Sequence, residues 1–149
     1  MSGFRWSAGV LTIVLGTAMP VVAQSPSPAG HIKTASGSAF IVRQNAELPA
    51  RPGTMIFATD ALRTGGDGAV GVTLNDDTRV SLGPNSEVRL ERYVYAPGEG
   101  SLGMVLNFIR GVAAYISGHI AKLAPDSIRL ETPAAIVGVR GTTIVIHVE

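Results

Sequence analysis

From residue 69 onward, apolar side chains recur at every second position. Val70, Val72 and Leu74 alternate with Ala69, Gly71 and Thr73, and the same beat returns in Val80-Leu82, Val88-Leu90, Leu102-Met104-Leu106-Phe108, Ile128-Leu130, Val137-Val139 and Ile144-Ile146-Val148. A period of two turns alternate side chains to one face of an extended chain, which is the signature of a half-buried strand. A helix would need spacings of three and four. The intervening Thr, Val and Ile residues also favour extended backbone. Between these runs lie turn formers: Gly65-Gly66-Asp67-Gly68, Asn75-Asp76-Asp77, Gly83-Pro84-Asn85, Ala96-Pro97-Gly98, Gly118 and Ala124-Pro125-Asp126. Pro97, Pro125 and Pro133 would each remove a ladder hydrogen bond from a central strand, so they are placed between strands. Met104 to Ile120 holds enough apolar residues for a short helix, but Gly111 and β-branched Val112 and Ile116 favour strands, with a turn or bulge at Ile109–Val112. Ala50 to Leu62 reads as one strand and a loop, with a turn at Pro52-Gly53 and pairing from Met55 to Phe57. The spacing predicts an all-β domain of short antiparallel or wound strands. Val80 with Val88 and Leu82 with Leu90 repeat eight residues apart, which fits stacked rungs of a β-solenoid and the arms of a sandwich equally well.

The first residues change this picture because they read as a processing segment. Arg5 precedes the apolar run Val10 to Leu15, Met19-Pro20 interrupts it, and Val21 and Ala23 are small side chains before a cut ahead of Gln24. That order is expected of a secretory signal peptide over residues 1–23. The alternative is an inner-membrane anchor through residues 8–23, which is shorter than the roughly 20 residues a spanning helix needs. Ser25-Pro26-Ser27-Pro28 then opens a leader, residues 24–31, expected to be disordered, with the folded domain over residues 32–149. Cleavage removes Arg5 from the 12 Lys and Arg, so 11 basic residues would face 11 acidic ones. A chain with no net charge has no electrostatic reason to seek nucleic acid or an anionic membrane. There is no cysteine, which removes disulfides, thiolate metal sites and thiol chemistry. The expected location is the periplasm or the outside of the cell, with the mature chain not embedded in a membrane.

Four segments resemble the FecR domain family: Asp60-Ala61-Leu62-Arg63-Thr64-Gly65, Asp67 to Leu74, Asp77 to Ser86, and Thr132-Pro133-Ala134-Ala135-Ile136-Val137-Gly138-Val139-Arg140-Gly141-Thr142. The last is the most specific, since the family closes on a Thr-Pro, small or apolar residues and then Arg-Gly-Thr. The likeness runs roughly from Ile32 to Glu149. It implies an all-β, non-enzymatic domain that works through protein contacts in the cell envelope, as in regulators that relay a signal from an outer-membrane iron–siderophore receptor. The chain departs from those regulators. Residues 1–9 are too few for a cytoplasmic anti-sigma region, and the sequence closes soon after Thr142, so the full transmembrane relay is not expected. Thr59 stands where the family usually has Gly.

Candidate chemistry is sparse. Arg140, between Gly138 and Gly141, is a fork-shaped donor for a partner carboxylate or a clamp on turn carbonyls. Tyr93 and Tyr95 share one side of an extended segment, as a contact patch or as cover for a core edge. Asp60, Asp67, Asp76, Asp77 and Asp126 lack the spacing of a calcium loop and read as turn caps. His31, His119 and His147 are scattered, and no Gly-x-Ser-x-Gly elbow is present. No catalytic residue, metal or cofactor is expected. The expected role is protein–protein interaction in envelope signalling or scaffolding, with an unidentified partner and a route to self-association through the C-terminal strand. The alternative is a small-ligand or glycan-binding module.

Overall fold

The computed structural model describes residues 3, 9–10, 13–21, 26–137, 139 and 143–149. The strands are β1 (Gly30–Ser36), β2 (Ala39–Arg43), β3 (Ala46–Pro49), β4 (Met55–Ile56), β5 (Ala61–Thr64), β6 (Ala69–Leu74), β7 (Arg79–Leu82), β8 (Glu87–Ala96), β9 (Ser101–Ile116), β10 (Ile128–Glu131), β11 (Ile136–Val137) and β12 (Thr143–Val148). One short helix, α1 (His119–Leu123), sits in the β9–β10 crossover. No helix among the described residues is long and apolar enough to cross a membrane. The chain is all-β, as the alternation predicts.

The strands form one sheet in the order β3-β2-β5-β8-β9-β7-β6-β1-β4, with β10 and β12 on the remaining side of β9 and β11 outside β10. The sheet curls into a half-barrel. β9 is its spine: residues 101–110 pair with β8 and residues 113–116 with β7, while β10 and β12 line its other edge. Among the described residues every ladder is antiparallel except β10 on β9. β7 and β8 share no ladder, so the eight-residue echo of Val80 in Val88 is not a stack of solenoid rungs. Both strands flank β9 and aim those residues into one core with Ile32, Ile41, Leu62, Val72, Met104, Phe108, Tyr115 and Leu130.

The register shifts in β1 between Ile32 and Thr34, and two further bulges, in the long strands β8 and β9, keep the core continuous. In β8, Val88 and Leu90 are buried, and the register then shifts between Leu90 and Arg92. The extra residue flips the parity, so Tyr93 and Tyr95 continue the inner face and Arg92 turns outward. In β9, Met104, Leu106 and Phe108 are buried at even positions and Ala113 and Tyr115 at odd ones. The switch lies where the register skips Ile109, next to Gly111 at φ +85°. A Cβ on Gly111 would collide with Ser86 and the Asn85 carbonyl, so only glycine fits. This is the irregularity expected at Ile109–Val112.

Two boundaries differ from the sequence reading. β1 starts at Gly30 because Ala29 is already buried and held: its N–H donates to the Ile56 carbonyl (2.8 Å) and its carbonyl accepts from Asn75 N–H (2.9 Å). β9 stops at Ile116, and residues 119–123 become helix, because Asp76 captures the start of that helix. His119 N–H donates to the Asp76 carbonyl (2.7 Å) and Ile120 N–H to its carboxylate (3.1 Å).

Candidate interaction surface

The polar residues that stand out in the sequence are mostly internal fasteners. Asp76 is fully buried and accepts from Thr78 N–H (3.3 Å), Thr78 Oγ1 (2.7 Å), the Tyr93 hydroxyl (2.9 Å) and Ile120 N–H. Its own N–H donates to the Tyr93 hydroxyl (2.9 Å). One carboxylate therefore ties the β6–β7 turn to β8 and α1. Ser86 does the same at the β9 bulge, where its hydroxyl accepts from Val112 N–H (2.9 Å) and its own N–H donates to Thr64 Oγ1 (2.9 Å). Asp60 is 4 % exposed and receives both Nε (3.0 Å) and Nη2 (2.8 Å) of Arg43, a two-pronged pair that lies over Phe57. The Arg43 guanidinium is pushed up from its ordinary value by that hydrogen bond to Asp60. Asp67 is held below the usual carboxylate range by hydrogen bonds from the Ser38 side chain and backbone.

Of the expected contact residues, Tyr93 and Tyr95 are brought together. Both are half-buried on the inner side of β8 and line a surface hollow of ≈ 120 Å³ with Ser27, Pro28, Ala29, Ala58 and Asn75. Tyr93 is engaged by Asp76, and burial followed by that carboxylate's charge raises its hydroxyl far above the ordinary tyrosine value. Arg140 lies outside the described residues. His31, His119 and His147 fall on β1, α1 and β12, and no group of three potential metal ligands occurs among the described residues.

Among the described residues the void inside the core is small. The void among Ile56, Asp60, Leu62, Val72, Leu74, Val80, Val88, Leu90 and Leu106 is ≈ 10 Å³, at the threshold for one water. Larger hollows, ≈ 370 and ≈ 380 Å³, are surface features beside Arg129 and Arg43.

The sheet's free edges are more distinctive. Among the described residues they are β3, β4, β11 and β12. β3 carries Glu47 and ends on Pro49, and β4 and β11 are two residues each. Short, charged or proline-bearing edges resist unplanned pairing. β12 is different: six residues, Thr-Ile-Val-Ile-His-Val, without a carboxylate, Lys, Arg or Pro. Its outer face continues onto β9, with Val145 beside Ala114, His147 beside Val112 and Thr143 beside Ile116. Val145 is 69 % exposed, Val112 43 % and Ile116 38 %, so an apolar strip runs along the open edge. The β12 backbone is oriented too. Val112 turns its carbonyl to Gly83 N–H (2.9 Å) and its N–H to Ser86, both away from β12. By antiparallel alternation, Ala113 and Tyr115 bond to Ile146 and Ile144, which leaves the N–H and C=O groups of Thr143, Val145 and His147 pointing outward. Sequence reasoning singled out the strand, but neither the strip on β9 nor this alternation, because both depend on which strands become neighbours.

A family model described as FecR protein matches residues 60–149, from the start of β5's turn through β12. No curated protein and no solved structure matches the chain.

Proposed function

The chain belongs to the FecR protein family, and from that premise we propose that it is a non-catalytic interaction domain of the cell envelope, with a role in signalling or scaffolding. The carrying observation is the β12 edge, long and uncharged with three outward backbone pairs, set against an exposed apolar strip. Such an edge takes an extended segment of a partner by strand addition: main-chain bonds supply affinity, and the strip reads alternate side chains. The filled core supports this reading over a small-ligand carrier. Residues 1–23 serve as a cleaved signal that delivers the chain to the periplasm or the exterior, in keeping with an envelope role.

The test is affinity capture from a cell-envelope extract with the native chain and Val145→Lys in parallel. Val145 is exposed, so the lysine leaves the core intact while it guards the edge. Proteins retained by the native chain and lost with Val145→Lys are the expected result. Equal retention by both removes β12 as the contact, and capture of nothing by either removes the interaction reading.

A further inference from the structure

We propose that the occupant of the β12 edge is a second copy of this chain, paired antiparallel with Val145 on the twofold axis. The inference rests on the strand-addition reading above and names its partner. β12 reads almost the same from either end: Thr143-Ile144-Val145-Ile146-His147 is polar, Ile, Val, Ile, polar. A twofold contact sets the same patch against itself, so only a self-complementary strand satisfies it with like beside like. With Val145 opposite its own copy, Ile144 faces Ile146 and Thr143 faces His147, and β-branched side chains meet on both sides of the sheet. No carboxylate, Lys or Arg lies between Thr143 and Val148, so no like charges oppose one another across the axis.

The backbone agrees with this register. Thr143, Val145 and His147 are the residues whose N–H and C=O groups face out, and each would meet another outward-facing residue: 145 with 145, 143 with 147. A register shifted by one residue would oppose groups already bonded to β9 and expose Val145 to the wrong face. The apolar strips of Val112, Ile116 and Val145 then join across the axis into one surface. The edge is about 20 Å long, which by itself falls well short of the roughly 800 Å² per partner of a standard interface. The dimer is accordingly weak, with a dissociation constant in the micromolar range or above.

The absence of cysteine permits a direct register test. Opposite residues in a bonded antiparallel pair have Cα atoms about 5.5 Å apart, within disulfide reach. Under mild oxidation Val145→Cys should form a covalent dimer. Thr143→Cys alone and His147→Cys alone should stay monomeric, because each lies about 14 Å along the strand from its own copy; mixed together, they should cross-link. Sedimentation of the native chain should show mass rising with concentration, and Val145→Lys should abolish the rise. Self-linking of Thr143→Cys, or no linking at position 145 and in the mixed pair, overturns the proposal. If the native chain sediments as a monomer throughout while envelope proteins are still lost with Val145→Lys, the occupant is another protein: this proposal falls and the interaction reading stands.

Discussion

Asp76 accepts four hydrogen bonds, and the three buried donors among them, Thr78 N–H, Thr78 Oγ1 and Ile120 N–H, would be stranded by its loss. Buried donors without partners cost about 1–3 kcal/mol apiece. Asp76→Ala is therefore expected to destabilise by about 3–4 kcal/mol, and Tyr93→Phe, which removes one member of the network, by about 1–2 kcal/mol. Urea denaturation of the two variants checks both the values and their order. Thr59 carries the opposite promise. It is a β-branched residue at φ +75°, with its N–H on the Leu90 carbonyl (2.6 Å). That backbone costs a non-glycine residue roughly 1–2 kcal/mol, and glycine returns about 0.5–1 kcal/mol of the gain through its freer unfolded chain. Thr59→Gly should raise stability by about 0.5–1 kcal/mol, read as a higher midpoint in the same titration.

At the scale of elements, the two bulges decide what each long strand does. Val88 and Leu90 share parity with Arg92, so an unbroken β8 would drive a guanidinium into the core and leave Tyr93 outside. The parity switch was present in the sequence as a change of beat from Leu90 to Tyr93 and from Phe108 to Ala113. Which residue is extruded depends on the partner strand, and the sequence does not display that strand. Gly111 carries the β9 switch at positive φ against Ser86. Gly111→Ala combines a left-handed penalty of roughly 1–2 kcal/mol with overpacking of about 1–3 kcal/mol. A loss of about 3–4 kcal/mol is expected, with hydrogen exchange speeding up first at Val112, whose N–H is held by Ser86. A distant residue likewise sets where β9 gives way to α1: Asp76, forty-four positions away, bonds to Ile120 N–H.

For the whole molecule, β9 touches both limbs of the curled sheet, so neither limb closes a core without it. Two tyrosines within that core couple its stability to pH. Burial is the leading cause that raises Tyr93 and Tyr115, so the folded chain holds these protons more tightly than the unfolded one, where tyrosine titrates near 10. A raised value contributes stability that is complete below pH 10 and is lost as pH climbs above it. Phenolate absorbance of these two groups should rise only together with loss of the far-ultraviolet β signal; smooth titration of all three tyrosines in a folded chain would contradict the packing. The sequence by itself determined the fold class, the turns, most of the inner face and the family, because alternation and turn chemistry are local properties of the chain. It also placed a last strand at Thr142 to Val148 on the alternation of Ile144, Ile146 and Val148. Only the tertiary structure decided that the strands curl around β9 rather than wind as a solenoid, that Asp60, Asp76 and Ser86 are spent on internal fastening, and that β12 lies at an edge. Those outcomes turn on which distant segments become neighbours, and residue spacing carries no information about that.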